Sequence, residues 1–559
     1  MRHTIVVDLG FGDAGKGTVV DHLCRVAAAG GAPVAAVVRF NGGAQAAHNV
    51  VTDDGRHHTF AQFGSGTFAG APTHLSRYVL VDPLALATEA AHLAALGVAD
   101  PFGGLTVHRD ALLTTPYHAA ANRARELARG DARHGSCGMG IGETAAYALA
   151  HPDRAPRVGD CERPARLRRL LTELRDRLAA ELSGADEPTG AWTTAAGTSV
   201  ARTSVARTVG TGLGPVPAIE DCVEVFGQFA RAVRLVDDRH LADLARVGSV
   251  VFEGAQGMLL DEWHGFHPYT TWSTTTFANA EKLLCDAGVP GGDARRLGVL
   301  RTYTTRHGAG PLVTEDAALT AALPDRHNGT GRWQGAFRVG HFDAVAHRYA
   351  VDVAGGVDAV ALTHLDAPAR QPLTVCRRYE VPEAAATHWP DALWEPGAVR
   401  AFAQVRDAGE IRDAGEVRKA GEAKAVGAAR RGDDPGRPVG GRARVVEPTV
   451  RVGDIPDFDG MRQAVVGDAG RVDDLGRGES APGGAAGGAF GGPWRVGRLV
   501  SGPPGDLDRA GALTRLVSRA RPVLDERRPG PGDWPDLVAE VCAAPVEIRS
   551  YGPRSRDKQ

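Results

Sequence analysis

The chain has 559 residues, of which 43% are apolar and 23% charged, with a formal net charge of −3. This is the composition of a globular protein able to bury a sizeable core. Its near-neutral balance gives no general attraction to nucleic acid or to an acidic membrane surface.

From the N-terminus, the β-branched run Thr4 to Leu9 predicts a strand that feeds the glycine-rich turn Gly10-Phe11-Gly12-Asp13-Ala14-Gly15-Lys16-Gly17-Thr18. In such a turn backbone N–H groups converge on an anion, the start of a helix adds partial positive charge, and Lys16 can reach the phosphates. Gly10-x4-Gly15-Lys16 matches the first part of a P-loop, but Gly17 stands where a Ser or Thr usually holds magnesium. A metal here would turn to Asp13, and a carboxylate beside a phosphoryl group can also take a proton. A second run, Val34 to Phe40, leads into Asn41-Gly42-Gly43-Ala44-Gln45-Ala46-Ala47-His48.

Further strands are expected at Tyr78 to Val81, Ser249 to Phe252 and Ala359 to Thr363, alternating with helical stretches such as Leu84 to Leu96 and Pro164 to Leu182. That alternation is α/β punctuation, and open parallel sheets place their ligands in the turns after strand ends. The expected fold is therefore a central, mostly parallel, twisted sheet flanked by helices. Two stretches depart from it. Residues 186–215 carry the tandem Thr198 to Arg202 and Thr203 to Arg207 among Gly and Pro, and read as a solvated loop. Residues 400–508 open on a six-residue echo, Asp407-Ala408-Gly409-Glu410 and Asp413-Ala414-Gly415-Glu416. They pass into Gly/Pro/Arg/Asp-rich sequence that buries too little apolar surface to offset chain entropy, and read as a disordered insertion or partner-binding segment. The catalytic domain would then comprise residues 1–399 and 509–559.

Seven cysteines, the nearest pair 24 positions apart, leave no C-x-x-C and an odd count. This argues against a disulfide framework or structural zinc and for a reducing compartment. No charged, apolar leader precedes the strand at Thr4 and no run of 18 apolar residues occurs, so a cytoplasmic location is expected. Five of the 64 basic residues are lysines, an arginine bias that reads as high-GC codon usage rather than a basic patch.

The two glycine loops in register resemble those of the adenylosuccinate synthetases, whose first loop carries the signature G-D-E-G-K-G. Further matches follow in family order: Gly138 to Gly142, Phe252 to Gly257 with Leu259-Leu260-Asp261, Tyr303 to Arg306 with Gly308 to Pro311, Thr330-Gly331-Arg332, Thr363 to Asp366, and Ser550 to Arg554. The resemblance spans residues 1 to about 395 and the last 50 or so. It implies a GTP-dependent ligase that phosphorylates the 6-oxygen of IMP and lets the L-aspartate amine displace the phosphate.

By position, Asp13 matches the base that removes the N1 proton and also ligates Mg2+, with the Ala47 carbonyl completing the metal shell. Gly12, Gly15, Lys16 and Gly17 match the phosphate-wrapping loop, and His48 the histidine that hydrogen-bonds the GTP phosphates. Gln45, Gln256, Thr271 and Arg332 match IMP contacts. Cys137 replaces a phosphate-binding Thr, a loss that the neighbouring Ser136 hydroxyl can make good. Asp366 matches the carboxylate that reads guanine, and Ser550 and Gly552 lie in the loop along that base.

The aspartate pocket departs most. The family's arginine-rich run becomes Arg332-Trp333-Gln334-Gly335-Ala336-Phe337-Arg338, leaving Thr330, Arg332 and Arg338 as the expected aspartate contacts; His307, His364 and Ala14 also differ from the family pattern. The resemblance further implies a homodimer in which Arg154 or Arg157 reaches the partner's IMP phosphate. Alternatives are a ligase for another 6-oxopurine nucleotide, such as dGMP, GMP or a purine analogue, and a catalytically idle GTP-binding module. Retention of Asp13 argues against both the phage-type dGMP relatives, which tend to lack it, and the idle module.

Overall fold

A computed structural model of the chain describes residues 2–130, 133–183, 216–290, 294–325, 327–382 and 494–559. The tandem repeat at 198–207 and most of the 400–508 span lie outside the described residues.

Nine strands form the central sheet, in the order Val546–Arg549, Ala359–Thr363, Ala294–Arg301, His3–Asp8, Val250–Glu253, Ala36–Arg39, Thr73–Leu75, Leu105–His108, Arg234–Val236. Every adjacent pair is parallel. The expected strands and the helices Pro83–Ala95 and Pro164–Ser183 are present, displaced by a residue or two at most ends. The exception is Tyr78 to Val81, of which only Leu80–Val81 is strand.

Parallel strands bury both faces, and side chains alternate across the sheet, so each strand feeds two cores. Ile5, Val7 and Leu9 belong to one core and Val6 to the other; Val38 and Val37, Phe252 and Val251, Leu362 and Ala361 divide in the same way. A third apolar cluster gathers Leu105, Val107, Tyr117, Leu171 and Phe226 around the far edge of the sheet.

One boundary differs from expectation. Trp494–Val496 is a strand, antiparallel to Val375–Val381 with Trp494 opposite Val381, although it falls within the span read as low complexity. Val496 and Leu499 are buried in the main core and the helix Leu507–Arg519 follows. Arg495, Gly497 and Arg498 interrupt the apolar pattern, so the strand is defined by its pairing rather than its composition.

Candidate active site

Parallel pairing carries the C-terminal ends of five neighbouring strands to one edge of the sheet, and with them the loops after Asp8, Arg39, Glu253, Arg301 and Thr363. Four non-glycine residues among those described have positive φ: Asp13 and Gln256 at 60°, His364 at 57° and Ala543 at 51°. The first three lie in these loops. A left-handed backbone is strained for a side chain bearing Cβ, and strain of this kind gathers at functional sites.

Asp8, at the end of its strand, organises the first loop. Its carboxylate accepts from the N–H groups of Gly10 (2.9 Å), Gly12 (3.3 Å) and Ala14 (2.9 Å) and from Lys16 Nζ (3.0 Å). Lys16 and Asp8 are both buried, so each supplies the counter-charge the other needs. Gly15 caps the helix Lys16–Ala29 in the left-handed region with no side-chain cap, which leaves the first-turn N–H groups directed at the site. The half-buried Asp13 carboxylate has no hydrogen-bond partner among the described residues. Burial raises its pKa above the ordinary carboxylate value; Arg301 and Lys16 oppose that rise, and Asp8 and Asp325 add to it. A cleft beside this loop is lined by Asp8, Gly12, Arg301, Tyr303, Thr304 and His347.

His48 follows the exposed Ala47 and is itself buried. Its Nδ1 lies 2.6 Å from Glu253 Oε1. Burial and the Arg39 charge push the imidazole down to about 4 against the pull of Glu253. Burial alone would raise Glu253, but Arg39, His48 and Ser65 together outweigh it and hold the carboxyl at about 2. With Glu253 ionised, His48 Nδ1–H donates to its carboxylate. Arg39 stands opposite Glu253 in the sheet register.

The amide oxygen and nitrogen of Gln45, and Oε1 of Gln256, are sealed from solvent without a hydrogen-bond partner. Both side chains border the same glycine pair: a methyl group at Gly42 would lie 3.4 Å from Gln256 Oε1, and one at Gly43 3.2 Å from Gln45 Oε1. Buried polar atoms without partners are rare, and a bound ligand is one physical reason for them. Asn41 clamps the two loops, accepting from Ala255 N–H (2.7 Å) and donating to Ala255 O (3.1 Å) and Thr274 O (2.9 Å). Thr271 is held through its N–H to Leu260 O (2.8 Å). Cys137 is half-buried and its thiol pKa is raised by burial. The Ser136 Oγ beside it donates to Asn122 Oδ1 (3.0 Å).

At the other end of the site, pairing of Ala359–Thr363 with Val546–Arg549 joins segments far apart in sequence. Ser550 N–H donates to Leu362 O (2.8 Å) and Leu365 N–H to Ser550 O (3.0 Å). Half-buried Asp366, paired with exposed Arg370, therefore lies beside the Ser550 to Gly552 turn, whose Ser550 Oγ donates to Gly552 O (3.0 Å). His364 is braced by Thr363 Oγ1 (2.9 Å) and faces Arg301 (3.3 Å), and burial places its pKa well below the ordinary value.

The expected aspartate residues divide. Thr330 and Arg332 are exposed, with the Arg332 guanidinium 5.1 Å from the Trp333 ring centre. Arg338 donates to Gly308 O (2.6 Å), Gly310 O (2.8 Å) and Glu315 Oε2 (2.6 Å), which ties its guanidinium to the 308–310 loop. Arg306 acts similarly, donating to Ala309 O, Pro311 O and Tyr269 O. Of the dimer candidates, Arg157 donates to Asp110 O (2.7 Å), whereas Arg154 is exposed and pairs with Glu173.

Sequence reasoning passed over Asp8, Glu253 and Asn41. Asp8 and Glu253 each end a strand immediately before a glycine loop, and that position was the available signal.

The adenylosuccinate synthetase family model matches residues 5–404. The chain is 34% identical over 406 residues to the adenylosuccinate synthetase of Synechococcus sp. (strain RCC307), covering 71% of this chain and 83% of that protein. It is 33% identical over 396 residues to that of Thermosynechococcus vestitus, covering 70% and 80%. Among solved structures it resembles the fully ligated adenylosuccinate synthetase from Plasmodium falciparum, at TM-score 0.63 and 14% identity over 100% of this chain and 99% of that one. The sequence matches over two thirds of the chain, together with a shared fold, mean that the chain belongs to the adenylosuccinate synthetase family of GTP-dependent ligases.

Proposed function

We propose that the chain joins L-aspartate to C6 of IMP, with GTP as phosphoryl donor, to give adenylosuccinate, GDP and phosphate through a 6-phosphoryl-IMP intermediate. The observation that carries this reading is the convergence at one sheet edge of three features. These are a partnerless Asp13 carboxylate, the Lys16 and His48 cations or donors, and the unsatisfied amides of Gln45 and Gln256 around Gly42 and Gly43.

In this reading Gln45, Gln256, Thr271 and Cys137 line the IMP side. Asp13 removes the N1 proton of IMP; its raised pKa strengthens it as a base, and negative charge develops on O6. Lys16 and the open N-terminus of its helix meet the phosphates, and His48, its Nδ1–H held by Glu253, donates Nε2–H to them as the imidazolium. Asp366 accepts from the guanine N1–H and 2-amino group beside Ser550 and Gly552. Arg332, with Thr330, meets the aspartate carboxylates, while Arg338 supports the loop beneath.

The protein donors for a metal are the Asp13 carboxylate and the Ala47 carbonyl, and no group of three or more acidic, His or Cys side chains able to hold a metal occurs among the described residues. Few protein oxygens beside nucleotide phosphates suit Mg2+, which neutralises phosphate charge when bound. The protein acts as a homodimer, with exposed Arg154 as the residue crossing to the partner.

Phosphate release with GTP and aspartate, measured across IMP, GMP, dGMP and analogue nucleotides, tests the reading. Release dependent on IMP supports it. Release with a guanine nucleotide instead reassigns the acceptor, and GTP binding with no turnover on any acceptor leaves a binding module.

A further inference from the structure

Glu253 ends its strand with a carboxylate that is fully buried. Burial of such a charge is costly unless donors surround it. Here Oε2 accepts from Ser65 N–H (2.9 Å), and Oε1 accepts from Ser65 Oγ and from His48 Nδ1 (2.6 Å). Ser65 is itself fully buried and sits on a turn whose backbone is anchored by Gly64 N–H to Thr73 Oγ1 (2.9 Å), so the carboxylate is fixed by Ser65 as well as by His48. The two nitrogens of an imidazole point away from each other. With Nδ1 turned to Glu253, Nε2 lies on the other side of the ring and has no hydrogen-bond partner among the described residues.

The helix start packs closely on His48: a methyl group at Gly17, in the first turn of the phosphate-loop helix, would lie 2.8 Å from His48 Cβ and 3.1 Å from Ser65 Oγ. The phosphate loop, His48, Ser65 and Glu253 thus form one packed unit drawn from four separate chain segments. A hydrogen bond between a histidine and a buried carboxylate sets which ring nitrogen carries the proton and how the ring is turned.

We propose that Glu253, seated by Ser65, is a positioning residue for the ligase reaction: by accepting from Nδ1–H it fixes the turn of the His48 ring and favours the doubly protonated imidazolium, whose Nε2–H then donates to the nucleotide phosphates. The inference rests on the proposed function for the identity of the ligand at Nε2, but not for the orientation of the ring.

The test uses the full chain and the variants Glu253→Gln, His48→Asn and the two combined. The carboxamide of Gln can donate as well as accept, so it no longer holds one tautomer. In Glu253→Gln we expect kcat to fall about ten-fold, the difference between a charge-assisted and a neutral hydrogen bond, with KM for aspartate unchanged. In the His48→Asn background the same substitution should cost nothing further, because its effect passes through the ring. An equal loss in both backgrounds overturns the proposal.

If Glu253→Gln does not fold, Ser65→Ala keeps the carboxylate and the backbone donor. It should give a few-fold loss of kcat that also vanishes without His48, and a loss that persists is again a refutation. A readout independent of turnover separates failure of this inference from failure of the functional reading. Nitrogen-15 spectra of histidine-labelled protein should show His48 protonated at Nδ1 in the wild type and a mixture of Nδ1–H and Nε2–H forms in Glu253→Gln. An unchanged tautomer signature in that variant disproves the role of Glu253 even if the enzyme acts on another substrate.

Discussion

Gly17 occupies the place where a P-loop usually carries Ser or Thr, and the structure makes Gly17→Ser a discriminating change. If the position were merely a vacant magnesium ligand, serine would be neutral or helpful. It is instead packed: a Cβ there would lie 2.8 Å from His48 Cβ, 3.1 Å from the His48 carbonyl carbon and 3.1 Å from Ser65 Oγ. Contacts under 3 Å require something to move, and His48 cannot yield freely because Glu253 holds its ring. Replacing glycine inside a helix returns roughly 0.5–1 kcal/mol of backbone entropy, whereas overpacking a closed site costs about 1–3 kcal/mol. The clash should win, lowering stability by about 1–2 kcal/mol. Displacement of a phosphate-facing group by about 1 Å costs on the order of 100-fold in rate, so kcat should fall much more than stability. Thermal unfolding and GTP-dependent phosphate release measure the two effects. A Gly17→Ser protein with wild-type kcat and melting temperature would refute the packing argument and leave the position as a simple vacancy.

Four further outcomes are expected. Asp13→Asn should retain GTP binding but lose turnover by about 100-fold to 10,000-fold; activity within a few-fold of wild type in the phosphate-release assay rules out Asp13 as the base. Because Val381 pairs with Trp494, replacing residues 383–493 by a short Asn-Gly-type turn should leave melting temperature and activity nearly unchanged. Extending the deletion to 505 removes buried Val496 and Leu499, each worth about 1.5–3 kcal/mol, and should lower stability sharply in denaturant titrations. Arg332→Leu should raise the aspartate KM with little change in stability, whereas Arg338→Leu, which strips donors from Gly308 O and Gly310 O, should destabilise the fold by about 1–3 kcal/mol; the reverse pattern would return Arg338 to the substrate.

Burial depresses His74 and His118 to about 3 and His347 to about 4, below the ordinary 6.5. As pH falls from 6.5 toward 4 the unfolded chain takes up these protons first, so stability should drop by about 1.4 kcal/mol per pH unit for each, or roughly 4 for the three. A flat urea midpoint over that interval contradicts the burial of these rings.

Much of this protein was legible in its residues alone. The alternation of β-branched runs with Ala/Leu-rich helical stretches specifies α/β layering because periodicity is local. The first glycine loop pointed to phosphate chemistry because a left-handed turn and a helix start are short-range features, with Asp13 and Lys16 proposed from it and His48 from the family resemblance. Tertiary structure decided the rest. Sheet order brought Asp366 against Ser550 across nearly 200 residues of sequence, which no local pattern encodes. It paired Glu253 with His48 and Asp8 with Lys16, giving two buried carboxylates their donors. Composition concealed the strand at Trp494, whose pairing with Val375–Val381 is a long-range contact. It also gave Arg338 the Gly308 and Gly310 carbonyls as partners, because a guanidinium bonds whichever carbonyls the fold places within its reach. Residue type and spacing thus determined which chemical groups were available, and the parallel sheet decided which of them gather at one edge and which hold one another.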